Sequence, residues 1–585
     1  MSTNADLASL FEQAADLLAL LGENSFKVLA HRKVARVLED LPQDVASLKG
    51  SLDDLPGVGE SSAEKIKEYL CTGNVGEFTA LRQQVPAGVV QMLAIPSLGV
   101  KTAAQLWHEA GITDIATLKQ KLDDGSLLTL KGMGEKKIAK IKANLAFVGK
   151  EADRVRVDIA MAIAQSYCAL LEQPLKQGGA ATQVQYCGSL RRGRETIGDL
   201  DILVGGDAAA AGHIAERLRG HSLTGQIVAA GDTKITLRTT ANLQVDVRIV
   251  PAESWGAALQ YFTGSKEHNV KLRERAVRQG LKLNEWGLFR GDKPIAGLLE
   301  QDIYQSLGLA APPPEVREDH GELEQAESLF RANASWQLVT IADIQGDLHM
   351  HSTASDGSHS IDDIVAEAKR RGLKYIAITD HSKSQFQARG LTVQRLIEHV
   401  NAIRAVARKA KDILVLAGSE VDILADGSLD YEDDVLSQLD WVVASPHAAL
   451  TQDSDKATMR LVRAASHPLV HVLGHPTGRL VGTRRGLEPD MPQVISAARR
   501  SGIAIEINAN AHRLDLRDVH VRLAVEAGVP ICINTDAHSF DDFDQLPFGV
   551  LTARRGWAKA SDVLNARSAA DFKSWLDSRR GAAHW

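Results

Sequence analysis

Cysteine, aromatic residues and excess positive charge are all scarce in this chain. It carries four cysteines in 585 residues, Cys71, Cys168, Cys187 and Cys532, scattered and without a CxxC pair. That spacing disfavours a disulfide framework and a zinc ribbon, and it fits a reducing, cytoplasmic setting. No apolar run approaches the roughly 20 residues that span a bilayer, so no membrane association is expected. The N-terminal stretch MSTNADLASLFEQAADLLALLG lacks a basic leader region and carries Asp6, Glu12 and Asp16, so it reads as an amphipathic helix. The formal net charge is −7, and residues 1–340 hold 38 Lys and Arg against 42 Asp and Glu. Bulk electrostatics therefore does not announce a polyanion binder. Any nucleic-acid contact must come from local basic patches and backbone amides.

What the chain has is length and an uneven distribution of chemistry. At roughly 100–200 residues per domain, three to five domains are expected. Of 19 histidines, 13 fall after residue 345. A hinge is expected over 309–345, which contains Pro312-Pro313-Pro314 and an acidic stretch from Glu315 to Glu327. Before residue 155 the sequence reads as helical throughout. From 182 the runs TQVQYCGSL, DLDILVGG, KITLRTT and LQVDVRIV read as strands, with helices at 155–173 and 209–219. After 346, the runs YIAITD, DILVLAGSEV, WVVAS, HVLGH, IAIEINAN and PICINTD alternate with helical stretches, the pattern of a βα barrel.

Three segments of the helical region share a form: Leu55-Pro-Gly-Val-Gly59, Ile95-Pro-Ser-Leu-Gly99 and Leu130-Lys-Gly-Met-Gly134, each followed by a helix-like stretch. Glycines entering a helix leave backbone N–H groups uncovered, able to hold a DNA phosphate without reading sequence. Gly57, Gly59, Gly99, Gly132 and Gly134 are the candidate DNA-binding residues. The first and third segments resemble helix-hairpin-helix motifs; the middle one has Ser97 where the first glycine is expected. Ordinary helix-turn-helix packing is the alternative reading.

The segment Gly188-Ser-Leu-Arg-Arg-Gly-Arg-Glu-Thr-Ile-Gly-Asp-Leu-Asp201 places Asp199 and Asp201 two apart on a predicted strand, so both carboxylates face one way. Asp246 in LQVDVRIV supplies a third. Three converging carboxylates repel unless cations lie between them, and hard oxygen ligands suit two Mg²⁺ ions. Such ions activate a primer 3′-hydroxyl and stabilise a leaving pyrophosphate. Gly188 and Ser189 offer an N–H and a hydroxyl to a phosphate, and Arg192 a charged donor. An isolated DxD would be read as a surface pair; the preceding Gly-Ser and the later VDV strand set this one apart.

The arrangement resembles a nucleotidyltransferase palm. The block Tyr261-Phe-Thr-Gly-Ser-Lys-Glu-His-Asn269 with Arg273 is similar to the nucleotide pocket of X-family DNA polymerases, and KLNEWGLF at 282–289 to their thumb. The resemblance implies that Tyr261 and Phe262 lie beside the sugar, Gly264 permits a tight turn, Asn269 reads the minor-groove edge of the incoming base, and Arg273 contacts the template. Gly198 joins this nucleotide-binding set. Gln244 is a departure, since some members carry Arg there. Lys65 stands where some relatives carry a Schiff-base lysine for 5′-deoxyribose phosphate removal. However, His31, Asp53 and Ser61 do not match that pocket, and Asp53 would repel a 5′-phosphate. The favoured reading of Lys65 is a solvated or phosphate-contacting helix residue.

The C-terminal region concentrates metal ligands. His349 and His351 in DLHMHS share a strand face, and Asp356 follows. His381, Glu420, His447, His475, Asp536 and His538 each fall near the end of a predicted strand, where barrels build active sites. Nine N and O ligands exceed the needs of one zinc and fit two or three ions of Mn²⁺, Zn²⁺ or Fe. His467 and His471 read as structural. The set resembles the PHP (polymerase and histidinol phosphatase) domain with no ligand missing.

Taken together, the chain resembles bacterial X-family polymerases with a C-terminal PHP domain. The expected fold is multidomain α and α/β. It has a helical helix-hairpin-helix N-terminal region (1–80 and a fingers-like 81–154), a palm (155–250), a thumb (251–325), a linker (326–345) and a distorted (β/α) barrel PHP domain (346–585). The implied function is template-directed gap filling on gapped or 3′-recessed DNA with deoxynucleoside triphosphates. A PHP-site Mn²⁺-dependent 3′→5′ exonuclease accompanies it, extending to 3′-phosphates or abasic sites. A nucleoid-associated monomer acting in base excision repair or end joining is expected. The rival readings are a small-molecule phosphatase, tested by turnover of histidinol phosphate, and a DNA-end-binding scaffold with a vestigial polymerase, tested by primer extension.

Overall fold

The computed structural model describes residues 3–39, 45–47, 52–55, 57–93, 95, 98–139, 141–142, 145, 154–172, 183–206 and 208–582. The chain divides into two compact units, Met1–Ala152 and Asp153–Trp585.

The first unit is helical throughout its described residues, around a core that includes Leu7, Phe11, Leu38, Ile66 and Leu106. The three glycine segments form one and the same turn. Val58, Leu98 and Met133 donate their N–H to the carbonyls of Leu55, Ile95 and Leu130 at 3.0, 3.0 and 3.1 Å. Each of these apolar residues is buried and anchors its turn to the core. Gly59 and Gly99 are the N-caps of helices Glu60–Thr72 and Val100–Ala110. Pro56 and Ser97 lie outside the described residues.

The second unit begins with a five-stranded sheet: β1 (Gln183–Tyr186), β2 (Asp199–Gly205), β3 (Thr224–Ala230), β4 (Lys234–Thr239) and β5 (Gln244–Val250). Its order is β1-β2-β5-β4-β3, and only β2 and β5 run parallel. Alternation dictates its two faces. Leu200, Ile202, Val204, Val245, Val247 and Ile249 bury against helices Val157–Glu172 and Ala211–Arg219, which sends Asp199, Asp201 and Asp246 to the opposite face. Two details differ from expectation. Gly188–Arg191 is a short helix, because Gly188 turns with φ 63° and ends the strand. Val155–Arg156 is a strand paired with Thr196–Ile197, so the helix starts later than 155.

Next come helices Trp255–Thr263 and Lys266–Arg278 and a three-stranded antiparallel sheet of β6 (Lys282–Asn284), β7 (Gly287–Arg290) and β8 (Lys293–Ala296). Helix Glu322–Arg331 belongs to this layer: Leu323 and Ala326 pack with Leu272, Leu288 and Tyr304. The acidic stretch from 315 is thus not a hinge. Glu315 meets Arg554, Glu318 meets Arg192 and Arg555, and Glu322 meets His268, all in largely buried pairs. The expected linker from 326 begins inside this helix.

The C-terminal region is a seven-stranded parallel barrel in sequence order: β9 (Gly346–Asp347), β10 (Tyr375–Ile378), β11 (Leu414–Asp422), β12 (Trp441–Ser445), β13 (Val472–Leu473), β14 (Ala504–Asn508) and β15 (Ile531–Asn534). A bridge between Met350 and Ala537 nearly closes it. The outward row, including Ile376, Ala417, Val442 and Ile505, packs under the helices. The inward row changes character along the barrel axis. Its lower layer is apolar: Leu348, Tyr375, Leu416, Trp441, Val472, Ala504 and Cys532 cluster with Phe572 and Leu576 of the C-terminal helix Ala569–Ala582, which plugs that end. Two or four residues further along the same strands, at the same parity, stand Thr379, Glu420, Ser445, Glu506 and Asn534, all buried. The period of two that builds the core therefore also delivers a polar layer to the C-terminal mouth.

Two candidate cation sites

In the first candidate site, the parallel register of β2 and β5 sets Asp201 directly beside Asp246, and Asp199 beside Gln244. A Cβ at Gly188 would lie 2.9 Å from Asp201 Oδ2, so only glycine fits that approach. Burial, then the charges of Asp199 and Asp246, push the Asp201 carboxyl up to about 6. Asp246 is held below the usual carboxylate range: burial opposes this, but hydrogen bonds from Thr236 Oγ1 (2.6 Å) and Lys234 Nζ outweigh it. Gln244 donates weakly to Asp246 Oδ2, at 3.4 Å. The three carboxylates do not close into a trio as tight as those of the barrel.

A cavity of about 370 Å³ beside these carboxylates is lined by Gly188, Ser189, Arg192, Tyr261, Phe262, Gly264, Asn269 and Arg273, the residues the sequence nominated. Gly198 is not among its lining residues; a Cβ there would meet Arg154 Nη1 at 3.0 Å. Arg192 donates to the carbonyl of Thr263 at 2.6 Å and to Glu318 Oε1 at 3.0 Å. Tyr261 and Phe262 meet edge to face, and Arg248 lies over Phe262. The amide of Asn269 is engaged within the protein, donating to the Tyr261 carbonyl at 2.8 Å and accepting from Gln260 at 2.6 Å. Its Oδ1 and Nδ2 are thus positioned by the helix pair rather than free.

Lys65 is buried, pairs with Glu77 at 2.9 Å and donates to Ser61 Oγ at 2.8 Å. An ammonium held in an ion pair is a poor amine nucleophile, which counts against the lyase role.

The second candidate site is the polar mouth of the barrel, and it brings all nine nominated residues together. Their ligand atoms form three overlapping sets, each within 4.8 Å: His351, Asp356, His381 and His538; His349, His351, Glu420 and Asp536; and His381, Glu420 and His447. His351, His381 and Glu420 each belong to two sets, so the sets share side chains and form one continuous cluster. His475 stands outside these sets, but its Nε2 is 2.8 Å from Glu420 Oε1. His349 Nε2, His351 Nδ1, His475 Nδ1 and Glu420 Oε2 are buried without a hydrogen-bond partner. Buried imidazole and carboxylate atoms left without partners inside one ligand cluster fit a site for divalent cations. His475 and Asp536 hold positive φ of 23° and 54°, uncommon for non-glycine residues and characteristic of functional positions.

The electrostatics are mixed: burial alone would lower His349 and His381, but the carboxylates facing them raise both well above the usual imidazole range. Burial, then the neighbouring His538 and His381, drive His351 down to about 4, leaving the neutral imidazole that ligates metal. Burial opposes ionisation of Glu420, yet His447, His349 and His381 hold it well below the carboxylate range.

Several residues that orient these ligands escaped the sequence reading. His349 Nδ1 donates to Glu506 Oε1 at 2.8 Å and His447 Nδ1 to Asp422 Oδ1 at 2.5 Å, which fixes each tautomer. Asp380 accepts from Ser352 and Ser355 and from His399 at 2.7 Å. The parity of Ala504, Glu506 and Asn508 in IAIEINAN was the available signal. His471 is structural, its Nδ1 accepting from the Val442 N–H at 3.1 Å, and His467 meets Asp433 at the surface.

Comparison with known proteins follows this geometry. A helix-hairpin-helix domain model matches residues 2–75, a DNA polymerase beta thumb model residues 258–318, and a PHP domain model residues 347–510. A third of the chain (33%) is 30% identical to a probable phosphatase of Caldicellulosiruptor bescii over 205 residues, 80% of that protein. A probable phosphatase of Thermoanaerobacter pseudethanolicus matches at 30% over 207 residues, with the same two shares. The DNA polymerase/3′-5′ exonuclease PolX of Bacillus subtilis is 38% identical over 578 residues, 98% of this chain and 99% of that protein. A match of that extent covers both candidate sites, and the chain belongs to the PolX family of DNA polymerase/3′-5′ exonucleases.

Proposed function

We propose that this chain is a template-directed, gap-filling DNA repair polymerase whose barrel is a 3′→5′ exonuclease and phosphoesterase acting on DNA 3′ ends. The observation that carries the reading is the coexistence, in one chain, of a carboxylate cluster beside a nucleotide-sized cavity and a buried histidine-carboxylate cluster at a barrel mouth.

Asp199, Asp201 and Asp246 hold two Mg²⁺ ions, and the barrel's nine ligands hold two or three ions of Mn²⁺ or Zn²⁺. When bound, such ions neutralise phosphate charge and activate a hydroxyl or a water. The protein's own part is positioning. Arg192 and Ser189 meet the triphosphate, Tyr261 and Phe262 wall the sugar, and Gly264 gives the backbone its turn. Asn269 faces the base and Arg273 the template. Gly57, Gly59, Gly132 and Gly134 hold DNA phosphates through uncovered N–H groups; a Cβ at Gly59, Gly132 or Gly134 would meet nothing within 4 Å. Gly99 offers the same amide in the middle turn. Lys65 is a structural residue of its helix.

In the barrel, Glu506 and Asp422 fix His349 and His447, so that the opposite ring nitrogens face the cluster. No helix among the described residues is long and apolar enough to cross a membrane. With its cysteines unpaired, the protein suits the reducing cytoplasm around DNA.

The test is extension of a primer on a one-nucleotide-gapped duplex, run beside shortening of the same primer without nucleotides. Template-directed addition and 3′-end removal are expected. If the protein hydrolyses histidinol phosphate faster than it shortens the primer, the barrel is a small-molecule phosphatase and this reading of it fails. If it binds the duplex without extending it, the polymerase reading fails.

A further inference from the structure

Arg555 closes helix Leu546–Arg555 of the barrel, yet its guanidinium reaches the nucleotide cavity's own arginine. One edge of the fork grips the barrel: Nε donates to Asp518 Oδ2 at 2.8 Å, and Nη2 lies 2.6 Å from the same oxygen. The other edge crosses to the polymerase part, where Nη1 donates to the Arg192 carbonyl at 2.7 Å and to Glu318 Oε1 at 3.0 Å. That same Oε1 accepts from Arg192 Nε, also at 3.0 Å. The three side chains expose 5% (Arg555), 15% (Glu318) and 13% (Arg192), so little water screens them. The turn after Arg192 is braced from the same side, since a Cβ at Gly193 would meet Leu551 Cδ2 at 3.4 Å.

Without Arg555, the shared oxygen of Glu318 loses one of its two hydrogen-bonded guanidinium partners, and the Arg192 carbonyl loses a donor. The Arg192 guanidinium is then held only by Glu318 and the Thr263 carbonyl. A lysine could supply the charge but not both edges of the planar fork. We infer that Arg555 of the barrel is a positioning residue for nucleotide binding, acting through Glu318 and the Arg192 backbone to fix Arg192 in the polymerase cavity. The PHP barrel is then a structural component of the polymerase site and not merely a second enzyme attached to it. The inference rests on the proposed role of Arg192.

The experiment compares full-length Arg555→Met, Glu318→Gln, Arg192→Ala and Arg554→Met. Arg554 is the control, because it makes the neighbouring crossing pair with Glu315 at 2.8 Å without touching Arg192 or Glu318. Nucleotide KM and kcat are read on a gapped duplex, and 3′→5′ cleavage on the same preparations reports an intact barrel. Loss of a charge-assisted bond in a largely buried network predicts a KM increase of about tenfold for Arg555→Met, with kcat changed far less. Glu318→Gln should raise KM similarly, and the Arg555→Met/Glu318→Gln pair should fall short of the product of the singles. Arg554→Met should leave KM within about twofold. If Arg192→Ala raises KM but Arg555→Met does not, or if Arg554→Met matches Arg555→Met, the positioning role is overturned while the nucleotide reading stands. If Arg192→Ala leaves KM unchanged, both fall. Should Arg555→Met lose cleavage through misfolding, Glu318→Gln alone decides between these outcomes.

Discussion

The two clusters of this chain are built from opposite materials. At the sheet, Asp199 and Asp201 line an open cavity with Asp246 beside Asp201, and burial with mutual repulsion raises Asp201 to about 6. At the barrel mouth, imidazoles and carboxylates interleave, Glu420 is held far below its usual range, and the ligand sets are already assembled. The difference fits the cargo proposed for each site. Mg²⁺ keeps much of its water and binds through a few carboxylates plus substrate phosphates, so an incomplete site is completed by the nucleotide. Imidazoles suit Zn²⁺ or Fe and carboxylates suit Mn²⁺, so the mixed set fits ions held as a resident cluster, which demands full preorganisation. On the proposed function, one chain combines a site completed by its substrate with a site completed by its own side chains.

The comparison can be broken most severely at His351, a member of two barrel sets. His351→Ala should reduce primer shortening by well over the roughly 10–100-fold that loss of an orienting partner causes, with primer extension within about twofold of wild type. Glu506→Gln tests the orienting partner itself: the His349 tautomer loses its anchor, and shortening should fall roughly 10–100-fold, measured at saturating Mn²⁺.

A gentler test is pH. With the Asp201 carboxyl raised to about 6, its proton competes with cations below that value and not above it. The Mg²⁺ concentration for half-maximal extension should be flat above about pH 6 and climb up to about tenfold per unit below it. A flat profile down to pH 5 would show that Asp201 faces no repelling neighbours. The smallest effect is expected from Gly57→Ala. Gly57 has φ 103°, and a Cβ there would meet Lys33 Cε at 2.5 Å. The strained hairpin should weaken gapped-duplex affinity a few-fold, read by fluorescence anisotropy, with kcat unchanged, at a stability cost of about 1 kcal/mol.

Much of this was readable from sequence because the relevant signals are local. Asp199 and Asp201 share a strand, Asp246 follows on its neighbour, and the barrel ligands mark strand ends one by one. The glycine turns were legible too, since one hydrogen bond and one buried apolar residue define each. What escaped was non-local. Glu506 looks like an interruption of an apolar strand until its inward parity is counted. Strand Thr224–Ala230 carries Gly225 and Gln226 near its start, ends on two alanines and is mostly exposed, so no alternation announces it. Glu315, Glu318 and Glu322 resemble part of a solvated hinge because their partners Arg554, Arg555, Arg192 and His268 lie far away in sequence. The hold of Gln260 and the Tyr261 carbonyl on the amide of Asn269 was not legible either, since it depends on how two helices pack.

The most direct measurement pairs two double variants on a single 5′-labelled primer annealed in a gap, with nucleotides and both Mg²⁺ and Mn²⁺ present. Asp199→Ala/Asp201→Ala should only shorten the primer, and His349→Ala/His351→Ala should only lengthen it. If the first still adds nucleotides, or if the second, still folded, no longer does, the two clusters are not separate catalytic sites.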